Sequence, residues 1–263
     1  MIVVDNELCC GCGTCVSDCI SNNIEIKNHK AHILSDCFQC GHCVALCPQG
    51  ALSISNYSDT CIPYNPETFD VPTENLLNMI KFRRSIRTFK QKTLSYRDLH
   101  LLMEAGAHTP TAKNVQGCRF VFIQDSLQKV KQTVWQNLRL ALHDDKPTAI
   151  PNETLQRFVA LKDASPSVDY LFRNAPAVLL IQAPDPLDAG LAAQAIELVG
   201  TTRGIGTMYN GYLRRTFLSM PDVLSYLDMD VEEKPLHACL LLGYSDISYL
   251  RTAPRRNPSV VLR

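Results

Sequence analysis

The sequence has no excess of charge of either sign. Its 263 residues include 26 lysines and arginines and 26 aspartates and glutamates, so the formal net charge is zero. A surface that binds nucleic acid or an anionic membrane usually appears as a basic excess. The overall charge therefore points to no nucleic-acid partner and no membrane partner, and recognition must come from local sites.

Long hydrophobic runs are also lacking. No stretch of about 18 apolar residues occurs, and the first residues, Met1 to Asp5, include neither a charged leader region nor the apolar run of a signal peptide. We expect a cytoplasmic protein. Apolar residues make up 46% of the chain, which is ordinary for a globular protein, and its length suits one large domain or a small domain plus a medium one.

Two sequence signatures of catalysis are absent as well. There is no dinucleotide fingerprint of the G-x-G-x-x-G type, and no obvious protein acid or catalytic dyad occurs. We therefore expect the chemistry to take place at a bound cofactor, with catalytic residues unknown.

Cysteine, in contrast, is abundant, with twelve residues. Eight of them form two copies of one pattern: Cys9, Cys12, Cys15 and Cys19, then Cys37, Cys40, Cys43 and Cys47. The second copy is followed by Pro48 and has the C-x2-C-x2-C-x3-C-P spacing of a bacterial [4Fe-4S] site. Such thiolate groups are favoured where thiols stay reduced. Electron transfer is the first hypothesis, and a pair of zinc sites is the alternative.

The other four cysteines do not fit this spacing. They are Cys10, Cys61, Cys118 and Cys239. Free cysteine behaves as a small hydrophobic residue more often than as a reactive group. We interpret these four as core or incidental residues.

The segment around the two motifs looks like a pair of half-units. Residues 24 to 33 alternate in polarity on either side of Asn28 and predict a β-hairpin, and Val3-Val4 and Leu52 to Ile54 flank the motifs. Residues 1 to 56 resemble the bacterial two-cluster ferredoxin. That resemblance implies two [4Fe-4S] clusters and a crossed ligand set, because the fourth cysteine of each motif binds the other cluster.

The resemblance assigns the ligands as follows. One cluster is held by Cys9, Cys12, Cys15 and Cys47, and the other by Cys37, Cys40, Cys43 and Cys19. One departure from the family pattern is Ile20, which stands where a proline usually follows the fourth cysteine. We expect it to alter local rigidity or potential without loss of the cluster.

Residues 57 to 73 differ in composition and contain Pro63, Pro66 and Pro72. Prolines and aromatic residues, rather than glycine and serine, predict an ordered connection that lies against a surface. A helix is expected from Thr73, leading into Arg83-Arg-Ser-Ile-Arg87. Arginines around a serine suit a phosphate group, although an arginine run is more often a solvated face.

The segments that follow repeat a known order. A helix is predicted from the Ser95 capping signal to Gly106, followed by a polar loop with the pattern P-T-A-x-N-x-Q and a strand, Arg119 to Ile123. Further predicted segments are a central strand over 174–181, a buried helix over 188–199, a glycine turn over 203–211 and a strand over 240–244. Residues 74 to 263 resemble the nitroreductase-like FMN flavoprotein family.

This resemblance implies an α+β chain: a two-cluster ferredoxin-like domain (1–56), a connection (57–73) and an FMN-binding domain (74–263) with a mostly antiparallel central sheet between helices. It also implies a homodimer with FMN at the subunit interface. The implied FMN-binding residues are Arg83, Arg84, Ser85, Arg87, Asn210, Gly211, Arg255 and Arg256, with Pro110, Thr111, Asn114 and Gln116 from the other subunit. Whether Arg255 or Arg256 reaches the phosphate is open. Backbone groups of Asn210 and Gly211 would face the flavin edge. Gly204 and Gly206 belong to the turn that would lie under the flavin ring, and the alternative is that they only cap the end of the preceding helix.

The leading functional hypothesis is an oxidoreductase in which electrons pass between the clusters and FMN and reduce a nitroaromatic, a quinone or an activated alkene. The donor is an external ferredoxin or NAD(P)H. An electron carrier or redox sensor without turnover is one alternative, and a flavin-fold enzyme of unusual chemistry, such as reductive dehalogenation, is another.

Overall fold

A computed structural model of the protein describes residues 1–263. The chain divides into two compact units. Unit 1 consists of Met1–Asp70 and Thr111–Val115, and unit 2 consists of Val71–Pro110 and Gln116–Arg263. The division after Asp70 falls inside the predicted connection, and the functional domain limits of 56 and 74 stay a prediction.

Unit 1 is built from short elements. They are β1 (Ile2–Val4), α1 (Thr14–Ser17), β2 (Ile24–Lys27), β3 (Lys30–Ile33), α2 (His42–Leu46), β4 (Leu52–Ile54) and α3 (Pro66–Phe69). Strand β1 pairs antiparallel with β4, and β2 pairs antiparallel with β3. Asn28 and His29 form the β2–β3 turn with φ of 50° and 58°, which matches the twist that a tight hairpin needs. The predicted hairpin is therefore present, and Ile24 and Ala31 on it are buried.

The connection is ordered by local contacts. Asn65 Oδ1 accepts a hydrogen bond from the Glu67 N–H at 2.9 Å and caps α3, and the rings of Tyr64 and Phe69 lie 5.3 Å apart. The expectation that these aromatics lie against a surface is wrong, because Tyr64 and Phe69 are 74% and 71% exposed. They pack on each other instead.

Unit 2 has a four-stranded sheet with helices on both faces. The strands are β5 (Arg119–Ile123), β6 (Ala177–Gln182), β7 (Ile205–Tyr209) and β8 (Leu236–Tyr244). The helices are α4 (Thr73–Phe82), α5 (Tyr96–Ala107), α6 (Leu127–His143), α7 (Asn152–Ala164), α8 (Pro186–Thr202), α9 (Gly211–Leu218) and α10 (Pro221–Tyr226). The strand order is β5-β6-β8-β7, and every pairing is antiparallel. The predicted α+β class with an antiparallel central sheet is confirmed.

Strand β6 separates two apolar layers. Val178 and Leu180 pack into one cluster with residues of α6, α7, α9 and α10, such as Trp135 and Phe217. Leu179 on the opposite face packs into a second cluster with residues of α5 and α8. Double-sided burial explains why this strand is a continuous apolar run.

Strand β8 alternates in the same way, with Cys239 in the first cluster and Leu240 in the second. Burial raises the pKa of the Cys239 thiol, and the interpretation of this cysteine as a core residue fits its position.

The two glycines after α8 have different roles. Gly204 has φ of 68° and its N–H donates to the Thr201 carbonyl at 3.2 Å, so it ends the helix as a C-cap glycine. A Cβ atom at Gly206 would lie 2.3 Å from the Ile86 side chain. Gly206 is therefore needed because the arginine-bearing segment crosses β7 at very short range.

A buried carboxylate ties three elements of unit 2 together. Asp98, in the first turn of α5, accepts hydrogen bonds from Ser95 Oγ at 2.6 Å, Tyr244 Oη at 2.6 Å and Arg203 Nε at 3.0 Å. The Asp98 N–H in turn donates to Ser95 Oγ at 3.1 Å, which is the predicted cap. The Ser95 and Tyr244 hydrogen bonds and the Arg203 charge lower the pKa of Asp98 to about 2.

None of the helices combines the length and the hydrophobicity that crossing a bilayer requires.

We expect the Asp98→Asn substitution to lower the free energy of unfolding of unit 2 by about 2 to 4 kcal/mol at pH 7, because a neutral amide leaves Arg203 and two hydroxyl donors without their charged partner. The folded-state pKa of Asp98 lies below its unfolded value. Its contribution is therefore complete above about pH 4 and is lost as the pH falls from about 4 to 2. Denaturant unfolding followed by fluorescence of Trp135, the single tryptophan, measures both effects.

The exposed Asp222→Asn variant is the control, and a change below about 0.5 kcal/mol is expected there. Equal stabilities of wild type and Asp98→Asn at pH 7 would show that the network does not stabilise the fold.

Candidate functional site

Unit 1 contains two cysteine-lined cavities. Cavity A is lined by Cys9, Cys12, Cys15 and Cys47, and also by Cys10. Cavity B is lined by Cys19, Cys37, Cys40 and Cys43. The fourth cysteine of each motif thus lies with the triplet of the other motif, and the structure brings all eight predicted cysteines together in the crossed grouping.

The loops that carry the triplets share one backbone conformation. Gly11 and Gln39 have φ of 68° and 50°, and Gly13 and Gly41 have φ of 80° and 79°. At Gly11 a Cβ atom would lie 2.4 Å from the His29 carbonyl oxygen. Glycine is required there by close approach of the hairpin as well as by its left-handed conformation.

Backbone N–H groups point at four of the cysteine sulfurs. In cavity A, the N–H groups of Ala31 and Ala51 donate to the sulfurs of Cys9 (3.4 Å) and Cys47 (3.2 Å). In cavity B, the corresponding donors are Asn23 to Cys19 (3.3 Å) and Gln39 to Cys37 (3.4 Å). Hydrogen bonds to sulfur favour the thiolate and are one of the factors that set cluster potentials.

Burial acts against the free thiolates. It raises the pKa of Cys43 to about 11 and also raises the pKa of Cys15. A positive ion must therefore replace these protons if the sulfurs are to be thiolates at neutral pH. All twelve cysteines are free of disulfides, so the donor set and its surroundings fit iron–sulfur ligation. No group of three or more His, Cys, Asp or Glu side chains is arranged to hold a single metal ion.

Unit 2 has a further cavity beside the arginine segment, which we call the arginine cavity. The Ile86 N–H donates to the Thr207 carbonyl at 2.9 Å, and Phe89 forms an isolated bridge with Ser245. These contacts hold the segment along β7 and β8. The polar and charged lining residues of the cavity are Arg83, Arg84, Glu197, Thr201, Thr207, Ser245 and Tyr249.

A buried glutamate that sequence reasoning missed lies in this cavity. Glu197 Oε1 is 2.9 Å from Arg83 Nη1 and accepts from Thr207 Oγ1 at 2.7 Å, and its side chain is 3% exposed. Arg83 is therefore already neutralised within the fold, whereas it was expected to be available to a phosphate. A carboxylate inside the otherwise apolar run of α8 is the sequence signal that could have identified it, since unpaired buried glutamates are rare.

The neighbouring predicted residues have no such partner. Arg84 and Ser85 are half-buried and Arg87 is exposed. An arginine without a carboxylate partner, at a cavity that also offers threonine and serine hydroxyls, fits an anionic group. Arg255 and Arg256 are exposed, lie outside helices and strands, and do not line the arginine cavity.

Asn210 holds the start of α9. Its Oδ1 accepts from the Leu213 N–H at 2.9 Å, and its Nδ2 donates to the Leu171 carbonyl at 2.6 Å. Its backbone N–H donates to the Cys239 carbonyl at 2.8 Å. Gly211, the other predicted flavin-edge residue, lies in the first turn of α9. Backbone N–H groups in the first turn of a helix have no acceptor within that helix.

The predicted polar loop is divided between the two units. Thr111 and Asn114 belong to unit 1, and Pro110 and Gln116 belong to unit 2. Asn114 Nδ2 donates to the Gln39 carbonyl at 2.8 Å, so this side chain is engaged next to the second cysteine motif.

Comparison with known proteins gives two family matches. Residues 80–244 match the nitroreductase family, and residues 8–52 match the 4Fe-4S dicluster domain. The first match covers more than half of the chain. Both resemblances seen in the sequence are thereby confirmed.

Similar proteins support the same assignment. An NADPH-dependent oxidoreductase from Staphylococcus aureus strain USA300 is 30% identical over 165 residues, which is 57% of this chain and 61% of the relative. The chain thus matches about three fifths of the length of that relative.

Two solved structures share the fold. The FMN-bound nitroreductase of Bacteroides fragilis has 20% sequence identity and a TM-score of 0.58, and the match covers 72% of this chain and 99% of the nitroreductase. The FMN-bound nitroreductase of Desulfitobacterium hafniense (21% identity, TM-score 0.57) is covered to 98% by 72% of this chain.

Proposed function

The chain belongs to the nitroreductase family of oxidoreductases, and from that premise we propose that it is an FMN-dependent enzyme in which electrons pass between two [4Fe-4S] clusters and FMN to reduce a small organic acceptor. The observation that carries the proposal is the presence, in one chain of this family, of two cavities, each of which contains the four cysteines of one crossed set.

Each cavity supplies the thiolates for one cluster. Cys9, Cys12, Cys15 and Cys47 hold the first cluster, and Cys19, Cys37, Cys40 and Cys43 hold the second. The N–H groups of Ala31, Ala51, Asn23 and Gln39 stabilise the sulfur charge. The match to the 4Fe-4S dicluster domain supports two clusters in place of one.

The arginine cavity is the proposed FMN site. FMN, when bound, converts between one-electron and two-electron transfer. Among the residues predicted to contact FMN, Arg83 and Arg84 line this cavity. As the family resemblance implies, Arg84, Ser85 and one of Arg255 and Arg256 bind the phosphate, and Arg87 stabilises negative charge at the ring. Arg83 acts together with Glu197, which fixes the guanidinium in place. Gly211 and Asn210 lie at the ring edge, and the partner subunit supplies the loop segment with Pro110, Thr111, Asn114 and Gln116.

The substrate is a small electron acceptor: a nitroaromatic, a quinone or an activated alkene. The sequence has no dinucleotide fingerprint, so the electron donor must be identified by assay. The similarity to an NADPH-dependent oxidoreductase makes NADPH the first donor to test, followed by reduced ferredoxin. We place this activity in the cytoplasm.

A homodimer is part of the proposal. Helix α4 has no buried residue, and its apolar side chains Leu76, Leu77, Ile80 and Phe82 are 41 to 46% exposed. A contiguous exposed apolar face marks an interaction site. We infer that a second copy of the chain covers this face of α4, because the family resemblance implies an FMN site shared between two subunits.

We expect the anaerobically purified, cluster-loaded protein to oxidise NADPH or reduced ferredoxin continuously in the presence of a quinone or a nitroaromatic compound. Turnover is measured from donor absorbance over many cycles, with heat-treated protein as the control. Complete reduction of the bound cofactors without any acceptor turnover would contradict the enzyme proposal and favour the electron carrier.

The Arg84→Ala substitution should weaken FMN binding by roughly 2 kcal/mol, or about 30-fold, through loss of a charge-assisted bond to phosphate. Fluorescence titration of the flavin-free protein with FMN measures the affinity. Arg139, which forms a surface ion pair with Asp163, provides the control variant Arg139→Ala, for which no change is expected. Wild-type affinity in Arg84→Ala would remove Arg84 from the site.

The double variant Leu77→Asp/Ile80→Asp should sediment as a monomer and lose FMN, because two charges cannot be buried in an apolar interface. Asn78→Asp on the same helix adds a charge at a polar exposed position and should leave the dimer intact. Sedimentation velocity with detection of flavin absorbance tests both variants. A wild-type monomer that retains FMN would overturn the shared-site proposal.

A further inference from the structure

Cavity A contains a fifth cysteine. Cys10 lines the cavity together with the four cysteines of the crossed set and stands two residues before Cys12 in the same loop. Cys10 is exposed and forms no disulfide. Its sulfur therefore has no covalent partner.

The second motif has a different residue at the position equivalent to Cys10. The residue after the first cysteine is Cys10 in one motif and Phe38 in the other, and Phe38 also lines its own cavity. The following residues, Gly11 and Gln39, are both left-handed. The two loops thus direct the equivalent side chain to the cavity wall, and only cavity A has a thiol there.

We propose that Cys10 is a reserve iron ligand of cavity A, able to take the iron that Cys12 holds. This inference rests on the proposed two-cluster content. In the exchange, the iron–sulfur bond to Cys12 breaks and a bond to the Cys10 sulfur forms. The Cys10 proton goes to water, the released Cys12 thiolate takes up a proton, and no oxidation state changes.

The consequence is an asymmetry between the clusters. Cavity A can keep a complete set of four thiolates after losing Cys12, whereas cavity B is lined by no cysteine besides its own four and offers no thiol to replace Cys40, the equivalent residue. The pseudo-symmetric motif therefore provides a matched control within the same chain.

The test compares Cys12→Ala with Cys40→Ala in the full-length protein, by iron and acid-labile sulfide content and by electron paramagnetic resonance after reduction. Wild type and Cys12→Ala should both contain about eight irons per chain, the content of two cubane clusters. Cys40→Ala and the double variant Cys10→Ala/Cys12→Ala should each fall to about half of that content. Alanine is used because a serine oxygen could itself bind iron.

Transplanting the thiol gives the reciprocal test. Phe38→Cys/Cys40→Ala should regain the iron lost in Cys40→Ala, which also separates a missing ligand from a misfolded loop. Equal iron loss in Cys12→Ala and Cys40→Ala would overturn the role of Cys10. Wild-type protein with no more than about four irons would instead overturn the two-cluster content itself, and the inference with it.

Discussion

The exchange of the fourth cysteine between the two motifs is the constraint on which unit 1 depends. Cys47 lies with Cys9, Cys12 and Cys15 because β4, a few residues later, pairs with β1, just before the first motif. The Ala51 N–H bonds the Cys47 sulfur while the Ala51 carbonyl accepts from the Asp5 N–H at 2.8 Å. Each cavity brings together cysteines that are far apart in the sequence. A few short strands are therefore sufficient to position both cavities.

Both units hold buried groups that need a partner of opposite charge. In unit 1, burial disfavours the thiolates of Cys15 and Cys43, so binding of the proposed clusters would be linked to folding. In unit 2, Glu197 is paired with Arg83 at 2.9 Å, so this pair is already complete in the fold. The proposed clusters would therefore supply the positive charge that the cysteine cavities lack, whereas the arginine cavity already contains its own ion pair between Arg83 and Glu197.

Local patterns predicted the local structure well. The resemblance to the two-cluster ferredoxin implied the crossed grouping, the turn at Asn28 predicted the hairpin, and the Ser95 cap predicted the start of α5. Features set by long-range packing were missed. Glu197 lies in an apolar helix and finds Arg83 only in the folded protein, Gly206 is required by Ile86 on another segment, and the Asn210 side chain is used by Leu171 and Leu213. No local signal encodes partners that are so distant in sequence.

In the proposed function, one chain holds two clusters and one flavin that exchange electrons. An anaerobic reductive titration of the purified protein, followed by absorbance and electron paramagnetic resonance, tests it most directly. We expect an uptake of about four electrons per chain, one for each cluster and two for the flavin, with all three centres reduced in equilibrium with one another. Uptake of about two electrons, with flavin bleaching and no cluster signal, would contradict it.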